Sequence, residues 1–146
     1  MKQIISTLTL LIAISISGNA QSNVDVNEMV GFGCYEDGSQ SKPVQKVSRL
    51  IDKEKFNSII KLLDSENNAE KYLAVIVCEK LAELDKLILT KEMNEKIAEL
   101  YNSDGIVSVC SGCVYWDKLT LKNMFEKENH MRISSNYWLD YKFKSE

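Results

Sequence analysis

Four cysteines are the residues of this chain best equipped for chemistry: Cys34, Cys78, Cys110 and Cys113. The last two stand two residues apart in Val-Cys-Ser-Gly-Cys-Val-Tyr-Trp, residues 109–116. Such a pair is a redox couple, half of a metal site or a structural staple. A redox couple, with Cys110 as nucleophile and Cys113 as resolving thiol, belongs at a helix N-terminus after a strand, where the helix lowers the first thiol's pKa. Val107 to Val109 supplies a candidate strand, but the βαβ pattern is missing, and the only proline, Pro43, lies far upstream. Zinc needs four ligands, usually as two close pairs, and here one close pair faces two scattered cysteines. Haem attachment needs His after the second cysteine, where Val114 stands. Structural disulfides are therefore the expectation, one of them joining either Cys110 with Cys113 or one of these with Cys34, with the connectivity left open. Cys78, in the most apolar segment, reads equally as a buried free thiol.

Other catalytic apparatus is sparse. The single histidine, His130, follows the polar run Glu126-Lys127-Glu128-Asn129 and reads as an exposed residue near a helix C-terminus. Neither a phosphate-cradling G-x-x-x-x-G-K-[ST] nor a dinucleotide-binding G-x-G-x-x-G occurs. Glu79 with Glu83, and Glu92 with Glu95 and Glu99, share helix faces, but Lys80, Lys86 and Lys96 beside them give the pattern of a solvated surface. The expectation is a chain with no catalytic residues, no cofactor and no metal.

The leader says where these cysteines work. Residues 1–20 carry Lys2, an apolar run from Ile4 to Ile16, and small residues Gly18 and Ala20 before Gln21, the pattern of a secretory signal peptide. Thirteen apolar positions fall short of the about 20 a membrane span needs. The short leader resembles those of bacteria, so the expected destination is the periplasm or the exterior, where disulfides persist. Removing Lys2 from the 18 basic residues leaves 17 against 21 acidic ones, a net charge of −4. That balance argues against nucleic acid and anionic membranes as partners, since both need basic faces. Only Arg49 and Arg132 are arginines, so bidentate clamps for phosphate or carboxylate are scarce.

The elements that must position these residues read as mainly α. Residues 21–42 form a polar, Gly-rich N-terminal arm around Cys34, and 43–146 a single helical domain. Pro43 opens a short helix with Val44, Val47, Leu50 and Ile51 on one side. A second carries Phe56, Ile59, Ile60, Leu62 and Leu63. Asn67 with Glu70 resembles a capping box for a third, from Ala69 to about Leu87, apolar all round over 73–78, where a strand is the alternative but the helical spacing of Lys and Glu after it favours helix. Thr90 caps a fourth with Met93, Ile97, Leu100 and Tyr101. An offset of 37 aligns Val44, Val47, Leu50 and Ile51 with Leu81, Leu84, Leu87 and Ile88, and Phe56 with Met93. This predicts two antiparallel helical hairpins packed as a weak HEAT-like repeat. A cysteine-bearing loop with a short extended lead-in at 106–109 follows, then short C-terminal helical elements over 120–128 and 137–143.

The expected function is an exported binding or interaction protein without catalysis, an inhibitor or immunity protein being one form of it, with a protein partner. Two alternatives stand beside it. One is a thiol–disulfide oxidoreductase using Cys110 and Cys113. The other is a cell-envelope glycan-binding module with Tyr115, Trp116, Tyr137 and Trp138 as its platform.

Overall fold

The computed structural model describes residues 24–112 and 114–144. The leader and Cys113 lie outside them. Among the described residues, three strands and six α-helices follow in order: β1 (Met29–Val30), α1 (Lys42–Asp52), α2 (Phe56–Ile60) continued by a 3₁₀ turn (Lys61–Asp64), α3 (Asn68–Glu83), α4 (Lys91–Tyr101), β2 (Ile106–Ser111), β3 (Tyr115–Thr120), α5 (Leu121–Phe125) and α6 (His130–Phe143). Among the described residues, no helix is long and apolar enough to cross a membrane.

The expectation of a mainly α, all-helical fold is corrected by a three-stranded mixed sheet in the order β1-β2-β3. β1 runs parallel to β2, Met29 facing Ser108, and β3 returns antiparallel through a turn at Gly112, whose φ is +61°. The arm thus supplies an edge strand, and the cysteine "loop" is a β-hairpin. β1 is too short to show a period, and β3 alternates Tyr115, Asp117 and Leu119 on its helix-facing side, so a charge breaks its apolar pattern.

The two hairpins and their offset-37 repeat are likewise absent. Leu81 is buried, but Leu84 is 38% and Ile88 90% exposed, whereas the residues aligned with them, Val47 and Ile51, lie in the core. The offset sets α1 against the end of α3 and the non-helical connection after it.

α3 is the centre of the molecule. Every residue from Tyr72 to Cys78 is buried, because α1, α2 and its 3₁₀ turn, α4, α5, α6 and β2 surround it. Its start is capped as its sequence requires: Asn67 Oδ1 accepts from the N–H groups of Ala69 and Glu70 at 2.9 and 3.2 Å. Glu70 does not close the box. Its carboxylate takes the Ser65 hydroxyl at 2.8 Å and Lys46 at 2.6 Å, and Ser65 Oγ accepts from Asn67 N instead. Thr90, Thr120 and Asn129 cap α4, α5 and α6 through Met93, Asn123 and Met131 N–H. Such caps are each worth about 1 kcal/mol. Phe125 stacks on Tyr101 at 4.3 Å and packs tilted against Tyr72 at 5.1 Å, tying α5 to α3 and α4.

The sheet is covered on both faces. Val30, Val107 and Val109, with Tyr115 and Leu119, join the helical core, while Met29, Cys34, Cys110 and Trp116 form a second cluster on the other face. The arm folds over that second cluster. Ser41 Oγ donates to Met29 O at 2.7 Å and accepts from Gly31 N at 3.1 Å, and Gly112 N donates to Gly33 O at 2.8 Å.

Candidate functional site

Cys34 and Cys110 are joined as a disulfide with Cα atoms 5.7 Å apart, closing a separation of 76 residues. Both are buried, Cys34 fully and Cys110 at 1% exposure. The bond lies directly on Gly31. A Cβ there would collide with both sulfurs and approach Cys110 O to 2.9 Å, so only glycine leaves room for the staple. The arm's strand and hydrogen bonds thus bring Cys34 to a partner far along the chain.

Cys78 is a buried free thiol on α3. Burial, aided by the neighbouring Glu79 charge, pushes its pKa up to about 12. At neutral pH it is therefore neutral and non-nucleophilic. Alkylation of the native protein with iodoacetamide, followed by peptide mapping, is expected to leave the Cys78 peptide unmodified over hours. Full labelling should appear only in denaturant, and appreciable native-state labelling would contradict the buried placement.

A cleft lies between α3 and α6, a space of about 380 Å³ with Ile76 and Leu139 in its lining. Its polar lining is Glu79, Lys80, Glu83, Arg132, Asn136 and Asp140. α3 and α6 supply them because both helices turn apolar residues to the core, while residues one helical step away meet along the seam. Glu79 is held twice: Tyr101 donates to Oε1 at 2.7 Å and Arg132 Nη2 to Oε2 at 3.0 Å. Burial, with the hydrogen bond to Glu79 second, pushes the Tyr101 hydroxyl up to about 12. Burial opposes the Arg132 charge, but the Glu79 bond and the surrounding groups outweigh it, so its pKa rises. Lys80 bridges Glu83 at 3.2 Å and Asp140 at 3.3 Å. Three carboxylates against two cations leave the cleft one negative charge, and its outer acids remain open to water, Glu83 at 67% and Asp140 at 46% side-chain exposure.

Beside this cleft α6 presents a ridge. Met131, Ser135, Trp138 and Leu139 face inward, leaving Ile133 (43%), Tyr137 (74%) and Tyr141 (74%) exposed at four-residue spacing on the outer side. Trp138 packs on Phe32 at 5.2 Å in the core, and Trp116 meets Tyr35 edge-on at 5.2 Å above the disulfide. The four aromatics of the glycan-platform reading, Tyr115, Trp116, Tyr137 and Trp138, therefore do not share one exposed surface. His130 sits at the first position of α6, opposite in sense to the helix C-terminus expected, and meets Tyr115 edge-on at 4.9 Å. Of the carboxylates read from the sequence, Glu79 and Glu83 come to the cleft. Glu95 and Glu99 instead pair on α4 with Lys91 and Lys96.

Sequence reasoning missed Arg132, Asp140 and the ridge. Their signal was present: once Asn129 is read as an N-cap, 132, 136 and 140 form one row and 133, 137 and 141 the next. Among the described residues, no group of three or more His, Cys, Asp or Glu side chains is arranged to hold a metal ion. Comparison with protein-family models, with characterised proteins and with solved structures found no match.

Proposed function

We propose that the chain is an exported protein that works by binding a protein partner rather than by catalysis, and that α6 is its recognition element. The observation that carries this reading is the row Ile133, Tyr137 and Tyr141 exposed beside a net-acidic cleft. Tyrosines give large contact area at low entropy cost and are enriched where proteins meet. A partner segment with an apolar residue on the ridge and a Lys or Arg reaching Glu83 and Asp140 would be complementary in shape and charge. A toxin with a basic surface, held by an inhibitor or immunity protein, is one partner of that kind. The Cys34–Cys110 bond supports an oxidising destination, as the leader does.

The test is site-specific photocrosslinking in cells exporting the protein, with a photoreactive phenylalanine analogue at 137, at 141 or, as control, at Glu95 on α4. One discrete adduct is expected at 137 and 141 and none at 95. The same adduct should fall at least tenfold when Glu83 and Asp140 are both changed to Lys. Equal adducts at all three positions, or none at 137 and 141, would sink the assignment.

A further inference from the structure

The outer face of α1 carries a charge opposite in sign to that of the whole chain. Lys42, Lys46, Arg49 and the C-cap Lys53 are all exposed and lie at intervals of four, three and four residues. On a helix those intervals keep them within one narrow stripe, with charges about 4.5–6 Å apart over about 16 Å. Gln45 and Asp52 are the other exposed residues of that face, and Asp52 is already tied to Lys142 at 2.7 Å. Glu70, the partner of Lys46, is turned inward toward Ser65, its side chain only 14% exposed. Lys42 reaches the neutral amide of Asn27 at 2.9 Å.

The N-terminus of α1 adds to the same field. Its N-cap, Ser41, gives no side-chain cap because its hydroxyl is spent on Met29 and Gly31, and no acidic residue stands in the first turn. The positive end of the helix is thus left uncompensated beside Lys42 and Lys46. Natural helices favour acids at that position, so a base there costs stability.

We propose that this stripe is a second binding surface, separate from the α6 ridge, for a linear polyanion bearing sulfate or phosphate groups, such as an anionic envelope glycan. A line of charges matches a chain of charges. A flat anionic membrane would also meet the rest of a net-acidic surface, including an arm with Asp25, Glu28, Glu36 and Asp37 and no base between residues 24 and 41. A thin chain feels only what lies within about 8 Å of it at physiological salt. Three of the four bases are lysines, which meet phosphate or sulfate as point charges rather than through a bidentate fork. No aromatic side chain lies on the stripe to stack a base, which separates this surface from single-stranded nucleic-acid sites.

The test titrates the exported chain with polyphosphate and with heparin between 50 and 200 mM salt. Four contacts predict a log–log slope of about −3, or about a 50-fold loss of affinity over that range. The variant K42Q/K46Q/R49Q/K53Q is expected to lose binding at least tenfold. A variant of equal net charge, K91Q/K118Q/K122Q/K127Q, should bind within threefold of the parent. If the stripe variant fails to fold by circular dichroism, the pair R49Q/K53Q is read instead and should flatten the slope by about one to two. Equal losses in the stripe and control variants, or no binding at 50 mM salt, would overturn the proposal. Tighter binding of oligo-dT or of phosphatidylglycerol vesicles than of either polyanion would overturn its ligand class.

Discussion

Replacing Gly31 with Ala is expected to cost more stability than any other single-methyl change in the described residues. The added Cβ would occupy the space of both sulfurs of the Cys34–Cys110 bond, so either the bond does not form or the arm is driven off the sheet. Loss of a bridge closing a loop of this length is worth about 4 kcal/mol, and keeping the bond by overpacking costs about 1–3 kcal/mol in its place. Against a total of about 5–15 kcal/mol for a domain of this kind, that is a large fraction. Guanidinium unfolding and a count of free thiols in protein folded under oxidising conditions should show a lowered midpoint and two additional thiols. Gly33→Ala is the control, since a Cβ there meets only Gly38 O at 3.7 Å, an ordinary contact, and its midpoint should move by less than about 0.5 kcal/mol. In a Cys34→Ala/Cys110→Ala background the cost of Gly31→Ala should shrink, because the sulfurs it strikes are gone. A Gly31→Ala protein with its disulfide intact and an unchanged midpoint would refute this account of the staple.

The second large effect is alkaline. Tyr72 is fully buried on α3, its hydroxyl 2.7 Å from Ser135 Oγ, and burial pushes its pKa up from 10.0 to about 12. Tyr101 is raised to a similar value. These are acids whose folded pKa exceeds the unfolded one, so the fold favours the protonated form. Their contribution is fully present below pH 10 and is lost as pH rises through about 12. For Tyr72 alone two pKa units correspond to about 3 kcal/mol. Tyr101 adds less, being partly open to water, and Cys78 acts in the same sense from pH 9 upward. The denaturation midpoint is therefore expected to be flat between pH 7 and 9 and to fall steeply above 10. Tyr72→Phe should remove part of that slope, while Ser135 keeps its 2.7 Å bond to Met131 O. Tyrosinate absorbance followed alongside circular dichroism decides the matter: late-titrating tyrosines should ionise only as the fold is lost. Ionisation of all six tyrosines near pH 10 with the dichroism unchanged would rule this out.

The two effects bear on function through different elements. The staple holds the arm over the far face of the sheet, and the Tyr101–Glu79–Arg132 chain anchors α6 beside α3. Because Arg132 is held in this way, the ridge one residue along the helix is carried on a rigid support. On the proposed reading of α6, a surface so placed would lose little ordering entropy when it is covered.

Local chemistry was legible in the sequence. Asn67 and Thr90 announced the starts of α3 and α4, Pro43 the start of α1, and the unbroken apolar run 73–78 announced a helix buried on all sides. Each of these follows from interactions within a few residues along the chain, namely caps, proline geometry and helical period. The sheet was not legible. β1 is two residues that lie in register with Ser108 and Val109, and nothing near Met29 in the chain encodes that pairing. The sequence left the partner of Cys110 open between Cys113, three positions on, and Cys34; it is Cys34, because the parallel pairing of the arm carries Cys34 to Gly112 and leaves Gly31 open beneath the sulfurs. The repeat failed for the complementary reason. An apolar spacing shows which residues would share a face if a helix existed there, but it cannot show that Leu84 and Ile88 fall in the connection after α3. By itself the sequence determined the caps, the central helix and the chain's mild acidity. The tertiary structure alone decided the strand partners and the cysteine pairing, since these depend on contacts between distant segments whose closure no local pattern records.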